Sequence, residues 1–361
     1  MAITRRAFGT GVTALMAAPA LASAAVAAGS AAGNAAPVSI DPATLLDPEL
    51  RPIVEAMKSR PAMPPLTEEG LKRIRTMPMP EAYLPKPLAD PPIVEKMIPG
   101  RAGAPDVKIL VIGQKADGKG RPAVLFIHGG GYILGSVWTE VIGAQSLALD
   151  LDCVVVSVEY RLAPETRFPG SLEDNYAALQ WLYANADTLG VDRKRIALVG
   201  GSAGGGHAAA LAIAARDRGE IPICCQILIY PMLDDRTGST HMPPPFVGTY
   251  GWSANDNKLG WTSLLGVPAG SKSVPAGAVP ARVKDLSRLP PAFIGVGTLD
   301  LFGEEDIEYA KRLVLAGVLT KVLVVPGAFH GFDQMAPQSR IGKEFTAAWK
   351  SELAARFALP S

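Results

Sequence analysis

Seven short apolar runs, rich in β-branched residues, recur along the chain between residues 108 and 325. Their hydrophobicity is continuous rather than alternating, which is typical of strands that are buried on both faces of a parallel sheet. The runs are KILVIG (108–113), AVLFI (123–127), CVVVSV (153–158), IALVG (196–200), QILIY (226–230), FIGVG (293–297) and KVLVV (321–325). Helix-like stretches fall around 138–150, 171–186, 204–217, 304–316 and 341–357. This alternation predicts an α/β fold with a doubly wound, mostly parallel sheet.

Two regions interrupt the alternation. Residues 41–100 are rich in proline and carry the amphipathic segments LRPIVEAMKS and TEEGLKRIRT. Residues 234–289 separate QILIY from FIGVG with proline, glycine, serine and aromatic residues. Long insertions of this kind are usually lids or binding loops. We therefore expect 41–100 to be an N-terminal cap segment and 101–361 to be the α/β domain, with a lid inserted at about 234–289.

The first 27 residues have the pattern of an export signal. Arg5 and Arg6 precede a weakly apolar, alanine-rich stretch, and small residues with A-x-A spacing follow at 22–24 and 25–27. This order predicts a twin-arginine signal peptide, followed by a linker over 28–40. No later segment reaches the ~18 consecutive apolar residues that a membrane-spanning helix needs. We expect a periplasmic or secreted protein with no stable membrane span in its mature form.

Composition narrows the classes of partner. The chain has 361 residues, of which 48% are hydrophobic and 19% charged, and its formal net charge is +1. This balance gives no electrostatic reason to expect nucleic acid as a partner. The three cysteines, Cys153, Cys224 and Cys225, are too few for a disulfide framework, and we expect them to be small buried residues at strand positions. No Cys/His cluster has the spacing of a metal site.

Ser202 lies in the sequence GGSAG (200–204), between the predicted strand IALVG and the helix-like HAAALAIAAR. The pattern G-x-S-x-G is weak alone, but a strand–turn–helix around it is what a nucleophile elbow requires. In that turn the serine has a strained backbone, and the glycines two positions away keep side chains out of the turn. No Lys-Ser/Thr follows, so a phosphate-binding P-loop is excluded. A dinucleotide-like match at 204–209 falls inside the predicted helix, where such a motif does not function.

A serine nucleophile needs a base, and the chain has four histidines. His330 follows the strand KVLVV, so it is expected at the carboxyl edge of the sheet, where active sites form. His207 is expected to pack inside an alanine-lined helix, and His241 to be exposed in the insertion. His128 begins a glycine run. His330 is therefore the predicted base.

An acid that orients the histidine is expected at a neighbouring strand end. Asp300 directly follows the strand of AFIGVGTL, whereas Glu304, Glu305 and Asp306 have the pattern of acids at a helix start. The order Ser202, Asp300, His330 is the order expected of a hydrolase built on an α/β sheet.

The glycine run HGGGY (128–132) follows the strand AVLFI. Glycines at Gly129, Gly130 and Gly131 allow backbone N–H groups to approach a developing oxyanion, and such donors are each worth about 10²–10³ in rate. We expect two of these three glycines to form an oxyanion hole with the N–H of Ala203. The alternative is a plain glycine-rich turn.

Taken together, HGGGY, YRLAPE (160–165), GGSAGG, YPMLDD, TLDLFGEED and HGF resemble the motifs of the hormone-sensitive-lipase-like carboxylesterases, bacterial family IV, over residues 40–357. The resemblance implies an α/β-hydrolase core with a mostly helical cap. It also implies hydrolysis of short- to medium-chain acyl esters without a cofactor, with Ser202 as nucleophile, His330 as base and Asp300 as orienting acid. YRLAPE is implied to be a supporting loop, so that Arg161 and Glu165 are outside the catalytic set.

The sequence departs from the family pattern at two positions. The residue before the serine is often acidic in the family and is Gly201 here, and the position after GG is often asparagine and is Gly206 here. Any hydrogen bonds that those side chains make are absent or replaced.

The sequence indicates the substrate preference less clearly than it indicates the reaction. The insertion carries Phe246, Tyr250, Trp252 and Trp261, and the first cap segment carries Met57, Met63, Met77 and Met79. These side chains either line an acyl or alcohol pocket or only pack the cap onto the core. The same triad also serves amides, lactones and acetylated sugars, and a ligand receptor on this fold is a further, less favoured alternative because all three triad residues are present. The predicted partner is a small ester, and the sequence does not specify an oligomeric state.

Overall fold

The computed structural model describes residues 40–59, 66–76, 86–115 and 118–359. Within these ranges eight strands form one sheet. They are β1 (Ile93–Ile98), β2 (Val107–Ile112), β3 (Arg121–Ile127), β4 (Val154–Glu159), β5 (Val191–Gly201), β6 (Cys225–Ile229), β7 (Ala292–Gly297) and β8 (Thr320–Val325). Their order is β1-β2-β4-β3-β5-β6-β7-β8. Strand β2 pairs antiparallel with β1 and β4, and every other pairing in the sheet is parallel.

The same ranges contain α-helices of very different lengths. They are α1 (Pro42–Leu45), α2 (Arg51–Lys58), α3 (Glu68–Thr76), α4 (Val141–Asp150), α5 (Gly170–Ala184), α6 (Ala186–Leu189), α7 (Ala203–Arg218), α8 (Ala254–Leu265), α9 (Gly303–Leu315), α10 (Phe332–Met335) and α11 (Arg340–Ala358). Two single-turn 3₁₀ helices lie at Arg101–Gly103 and Pro280–Arg282.

Helices cover both faces of the sheet. On one face, Leu125 of β3 packs in a core with residues of α5, α7 and α9. On the other face, its neighbour Val124 packs in a second core with residues of α4 and α11. Both side chains are fully buried. Because consecutive residues of a central strand face different cores, both must be apolar, and this explains the continuous runs in the sequence.

The seven predicted strands and the five predicted helices of the α/β core are confirmed, as is the mostly parallel sheet. The sequence pattern did not predict β1. This edge strand, IVEKMI, is exposed at most of its positions and carries Glu95 and Lys96. It therefore lacks the apolar run that marks the central strands.

The segment 41–100, predicted as a cap, contributes to the sheet and to the core under it. Its last part contains β1, which pairs with β2 from Ile93–Ile112 to Ile98–Val107 and so belongs to the sheet. Its first part places Leu50 and Val54 in the same core as α11. Of its described helices, α3 packs with the lid, because Leu71 shares a core with Trp261.

The insertion at 234–289 is described throughout and is less helical than expected. It contains α8 and the 3₁₀ turn at Pro280–Arg282, and the rest is loop. Three consecutive prolines at 243–245 and several glycines with positive φ are incompatible with regular helix, which explains the difference. Ser253 caps α8, accepting the backbone N–H of Asp256 while the Asp256 side chain returns to Ser253.

The predicted export signal (1–27) and nearly all of the linker (28–40) lie outside the described residues. In the part of the chain that is described, no helix combines the length and the apolar character needed to cross a membrane. Cys153 and Cys225 are buried as predicted, whereas Cys224 is only partly buried.

Candidate active site

Ser202 occupies a strained turn between β5 and α7. Its backbone angles are φ +56° and ψ −124°, a region that residues with a side chain rarely adopt. The turn is tied down on both sides, because the Ser202 N–H donates to the Ile229 carbonyl at 2.9 Å and the Ser202 carbonyl accepts from Met232 N–H at 3.0 Å. A Cβ added at Gly204 would lie 2.1 Å from the Ile127 carbonyl oxygen, so α7 approaches the end of β3 as closely as a glycine allows.

His330 and Asp300 come to this serine from two neighbouring strand ends. Asp300 follows β7 and His330 follows β8, both at the carboxyl edge of the sheet. His330 Nε2 lies 3.0 Å from Ser202 Oγ, and His330 Nδ1 lies 2.9 Å from Asp300 Oδ2. The structure therefore brings the three predicted triad residues into one chain of hydrogen bonds.

The triad is shielded from water. Asp300 is fully buried, and Ser202 and His330 are each 9% exposed. The second oxygen of Asp300, Oδ1, accepts the Phe302 N–H at 3.0 Å, which fixes the carboxylate. The rings of Phe302 and Tyr230 contact the imidazole edge-on, with centroids 5.1 and 4.8 Å away. These contacts restrict the orientation of the His330 ring.

The glycine run after β3 lies beside Ser202, with φ +116° at Gly130 and +61° at Gly131. The Gly129 N–H donates to Glu140 Oε1 at 2.8 Å, so it is already used. The N–H groups of Gly130 and Gly131 donate to no described residue. Ala203 is the first residue of α7, and its N–H therefore has no intrahelical acceptor. Gly130, Gly131 and Ala203 therefore offer backbone N–H groups next to Ser202 that donate to no described residue.

His128, at the head of this run, is a structural residue. Its ring stacks on Tyr160 with centroids 4.2 Å apart, and the Tyr160 hydroxyl donates to the His128 carbonyl at 2.9 Å. Burial lowers the pKa of His128 to about 4, so the ring is neutral at physiological pH.

The other two histidines lie where the sequence predicts them. His207 is buried in α7 against the edges of Tyr132 and Tyr160, and burial lowers its pKa to about 3. His241 is exposed in the insertion and pairs with Glu304 at 3.0 Å.

A cavity of about 240 Å³ opens onto the triad. Its wall includes glycines 129–131, Gly201, Ser202 and His330, and side chains that the sequence analysis did not single out. These side chains are Glu140, Tyr230, Gln334 and Met335. Tyr230 lies in the YPMLDD motif, which was a usable signal. Glu140 stands at the start of α4 in no recognised motif, so the sequence held no signal for it.

Of the aromatic residues proposed to line a pocket, Trp252 borders this cavity. Trp261 is fully buried between lid and core, Tyr250 is buried in the core that contains α11, and Phe246 packs against that core. These three side chains pack the insertion onto the core and do not line the cavity.

The described part of the methionine set does not reach the site. Met57 is half-buried in α2 and does not line the cavity. Met63, Met77 and Met79 lie outside the described residues.

The two departures from the family pattern have different surroundings. At Gly206 an added Cβ would lie 2.2 Å from both the Met232 carbonyl oxygen and the Tyr132 hydroxyl, so no side chain fits. At Gly201 the nearest atom, Tyr230 Cε2, is 3.6 Å from an added Cβ, and the residue borders the cavity. Gly201 therefore leaves space beside Ser202.

The acids after Asp300 lie at a helix start, as predicted. Glu305 and Asp306 are in the first turn of α9, and both are buried. Glu305 Oε1 accepts the N–H groups of Leu233 and Asp234 at 2.6 and 3.1 Å. Neither carboxyl oxygen of Asp306 has a described hydrogen-bond partner, and burial raises its pKa well above the usual range.

The YRLAPE segment is held by ion pairs. Arg161 pairs with the buried Asp174 at 2.7 Å, and Glu165 pairs with Arg75 of α3 at 2.6 Å. Neither Arg161 nor Glu165 lines the cavity, which agrees with a supporting loop. Within the described ranges, no group of three or more His, Cys, Asp or Glu side chains is arranged to hold a metal ion.

Comparison with known proteins gives concordant results. The profile of a family described as having the α/β-hydrolase fold matches residues 124–334. Esterase LipI of Mycobacterium tuberculosis is 31% identical over 297 residues, covering 80% of this chain and 88% of LipI. Carboxylesterase NlhH of the same species is 32% identical over 296 residues, covering 81% of this chain and 90% of NlhH. Among solved structures, a bacterial heroin esterase superposes with a TM-score of 0.75 at 34% identity, covering 88% of this chain and 99% of that one.

Proposed function

The chain belongs to the hormone-sensitive-lipase-like family of carboxylesterases with the α/β-hydrolase fold, and from this premise we propose that it hydrolyses small carboxylic esters through an acyl-enzyme intermediate on Ser202. The observation that carries the proposal is the continuous chain of hydrogen bonds from Ser202 through His330 to Asp300. The names of its relatives, esterase and carboxylesterase, support the same reaction class.

In the first step, Ser202 Oγ attacks the ester carbonyl carbon and its proton passes to His330 Nε2, which lies 3.0 Å away. Asp300 accepts the Nδ1–H of His330 and so holds the tautomer in which Nε2 carries the lone pair. The imidazolium that forms is stabilised by the neighbouring carboxylate. The positive charge that forms on His330 is therefore balanced by the negative charge of the buried Asp300.

The carbonyl oxygen gains negative charge as the tetrahedral intermediate forms. The free N–H groups of Gly130, Gly131 and Ala203 are suited to receive it, whereas Gly129 is committed to Glu140. This narrows the sequence prediction, which left open which two of the three glycines donate.

Collapse of the intermediate breaks the bond to the alcohol, and the proton on His330 Nε2 passes to the leaving oxygen. Water then takes the place of the alcohol. His330 removes its proton as it attacks the acyl-enzyme, and the acid departs with Ser202 restored.

The cavity volume supports short acyl groups. Sites for drug-sized ligands typically enclose about 300–1,000 Å³. At about 240 Å³, the space beside Ser202 is below that range. We therefore place the preferred substrates among short-chain esters, with chain length limited by Trp252 and Met335.

The proposal is tested with a fluorophosphonate probe and a substrate panel. We expect a covalent adduct at Ser202 in the wild type and none in Ser202→Ala, together with faster hydrolysis of p-nitrophenyl acetate and butyrate than of the octanoate. Faster turnover of the matched amides, lactones or acetylated sugars would replace the ester assignment. The absence of both labelling and turnover would favour a ligand receptor.

We further propose export through the twin-arginine route, supported by Arg5, Arg6 and the small-residue sites near 22–27. Fractionation of cells expressing the full chain tests it. The wild type is expected outside the cytoplasm, and the double variant Arg5→Lys, Arg6→Lys is expected to be retained within it. Equal distribution of the two proteins would contradict the proposal.

A further inference from the structure

The Glu140 side chain makes an unusual hydrogen bond for a residue at a helix start. Glu140 is the N-cap residue of α4, where a side chain oxygen ordinarily accepts an N–H of its own first turn. Here the side chain makes no such bond. Its Oε1 instead accepts the Gly129 N–H, 11 residues earlier in the chain.

The acceptor lies beside the reacting groups. A Cβ added at Gly129 would lie 3.4 Å from Glu140 Oε1 and 3.5 Å from Ser202 Cβ, so the bond and the nucleophile flank the same residue. Glu140 also lines the cavity. The carboxyl group is thus close enough to control the loop but is bound to a backbone position next to the donors rather than to the substrate.

The loop needs such a contact because it contains three consecutive glycines. Glycine has more backbone freedom than any other residue, and ordering each one costs correspondingly more entropy. Gly130 and Gly131 keep their N–H groups free for the oxyanion, so these groups cannot anchor the loop. On this stretch the Gly129 N–H is the donor that remains for anchoring, and Glu140 accepts it.

The surroundings of the carboxyl group fit a role in either protonation state. Burial raises the pKa of Glu140 to about 7, and Asp333 of α10 acts in the same direction. Tyr230 and His330 also line the cavity, and the buried Tyr160 lies close enough to be influenced by the charge of Glu140. The bond from the Gly129 N–H acts in the opposite direction and lowers the pKa, because an N–H binds a carboxylate more strongly than a carboxylic acid. Both forms nevertheless have an oxygen that accepts an N–H, so the bond to Gly129 can form in either protonation state.

We propose that Glu140 is a positioning residue of the esterase, which holds the Gly129 peptide so that the N–H groups of Gly130 and Gly131 point at the oxyanion. The inference rests on the proposed function, because it assumes that Ser202 is acylated. On this proposal, catalysis depends on the position of the accepting oxygen of Glu140 rather than on its charge.

Two substitutions separate position from charge. Glu140→Gln keeps the length and an acceptor oxygen but removes the charge, whereas Glu140→Asp keeps the charge but is one methylene too short. We expect Glu140→Asp to lower kcat about 10- to 100-fold with KM changed less than threefold, as for the loss of an oxyanion donor's alignment. Glu140→Gln is expected to recover most of that loss.

Thermal stability distinguishes a positioning role from a merely structural one, because a structural role would lower Tm together with kcat. Aspartate is a preferred N-cap residue, so Glu140→Asp is expected to keep or raise Tm while kcat falls. The matched control is Glu159→Ala. Glu159 accepts the Val137 N–H at 2.7 Å, which anchors the same loop away from the cavity, and its loss should leave kcat within about threefold.

The experiment measures kcat, KM and Tm of the wild type and the three variants with p-nitrophenyl butyrate, and Ki for a trifluoromethyl ketone that forms a tetrahedral adduct. Ki should rise in Glu140→Asp in proportion to the fall in kcat/KM. A wild type that labels at Ser202 with kcat lower in Glu140→Gln than in Glu140→Asp overturns this inference alone, as does an equal loss in Glu159→Ala. A wild type that does not label at Ser202 overturns the proposed function itself.

Discussion

His330 Nε2 lies 3.0 Å from Ser202 Oγ, although the two residues are 128 positions apart in the chain. Strands β5 and β8, which they follow, are separated in the sheet by β6 and β7. Three strand spacings amount to about 14 Å, so the segment after β8 must turn back across the sheet edge to reach the serine. Asp300, at the end of β7, lies on this return path and meets the imidazole from its other side.

Replacing Asp300 by asparagine tests this arrangement. An amide at this position can present its NH₂ group to Nδ1 and so favour the wrong tautomer of His330. We expect kcat to fall by about 10⁴ with little change in KM, the size of effect typical of this substitution in a serine triad. Steady-state kinetics with p-nitrophenyl butyrate measure it. Glu304→Gln, at an exposed acid four residues further on, is the control and should match the wild type.

Substitution of Gly131 by alanine should disable the oxyanion loop. The residue has φ +61°, and an added Cβ would lie 2.3 Å from the Trp252 ring. Either the loop or the tryptophan must move, so we expect kcat to fall by at least about 10², the typical effect of one lost oxyanion donor.

Gly143→Ala in α4 is the matched control for this glycine substitution. An added Cβ there meets no atom within 4 Å. The control should keep full activity and gain up to about 1 kcal/mol in stability from helix propensity. Equal activity of the two alanine variants would contradict the expected displacement of the loop by the added Cβ.

The two tryptophans of the insertion should respond differently to truncation. Trp252 borders the cavity, whereas Trp261 is fully buried between lid and core. Trp252→Ala is expected to shift preference from the butyrate towards the octanoate ester with little change in Tm. Trp261→Ala is expected to cost about 3–5 kcal/mol of stability, as core tryptophans do. A chain-length series and thermal melts on both variants distinguish these outcomes, and an unchanged chain-length preference in Trp252→Ala would remove it from the pocket wall.

Asp306 makes stability depend on pH. Burial raises its pKa well above the usual value in the folded protein, whereas the unfolded chain should titrate near 3.9. Above that pH the folded state retains a proton that the unfolded state releases, so stability falls as pH rises, by up to about 1.4 kcal/mol per pH unit while the two states differ.

Asp306→Asn removes this proton uptake. The variant should therefore have a higher Tm than the wild type at pH 8, and the difference should shrink towards pH 4.5. Melts at pH 4.5, 6 and 8 measure it. Glu308→Gln, the same type of substitution at an exposed acid on the same helix, is the control and should show no such trend. A Tm difference that is constant with pH would mean that Asp306 is not held protonated.

The central strands and the triad were predictable because both follow from local chemistry. A strand covered on both faces needs an unbroken apolar run, and the predicted triad residues Asp300 and His330 lie only three and five positions after the ends of β7 and β8. Strand β1 was not predictable in this way, because an edge position tolerates charges such as Glu95 and Lys96.

The parts that were missed depend on contacts distant in sequence. Glu140 looks like an ordinary helix-start acid until the fold brings Gly129 against it. Asp306 likewise has the pattern of a solvated first-turn acid, and only the packing around α9 shows that it is buried. The sequence shows that both residues are acids near a helix start. The hydrogen-bond partner of Glu140 and the burial of Asp306 depend on the tertiary structure.

The split origin of the cavity wall has a practical consequence for redesign. Ser202, His330 and the glycines 129–131 lie in turns that follow core strands, whereas Trp252 belongs to the insertion at 234–289. A library confined to Trp252, Gln334 and Met335 would therefore sample new ester scopes on an unchanged reaction centre. Any transplanted lid must still place a flat side chain over Gly131, because the Trp252 ring packs in the space that a side chain at position 131 would fill.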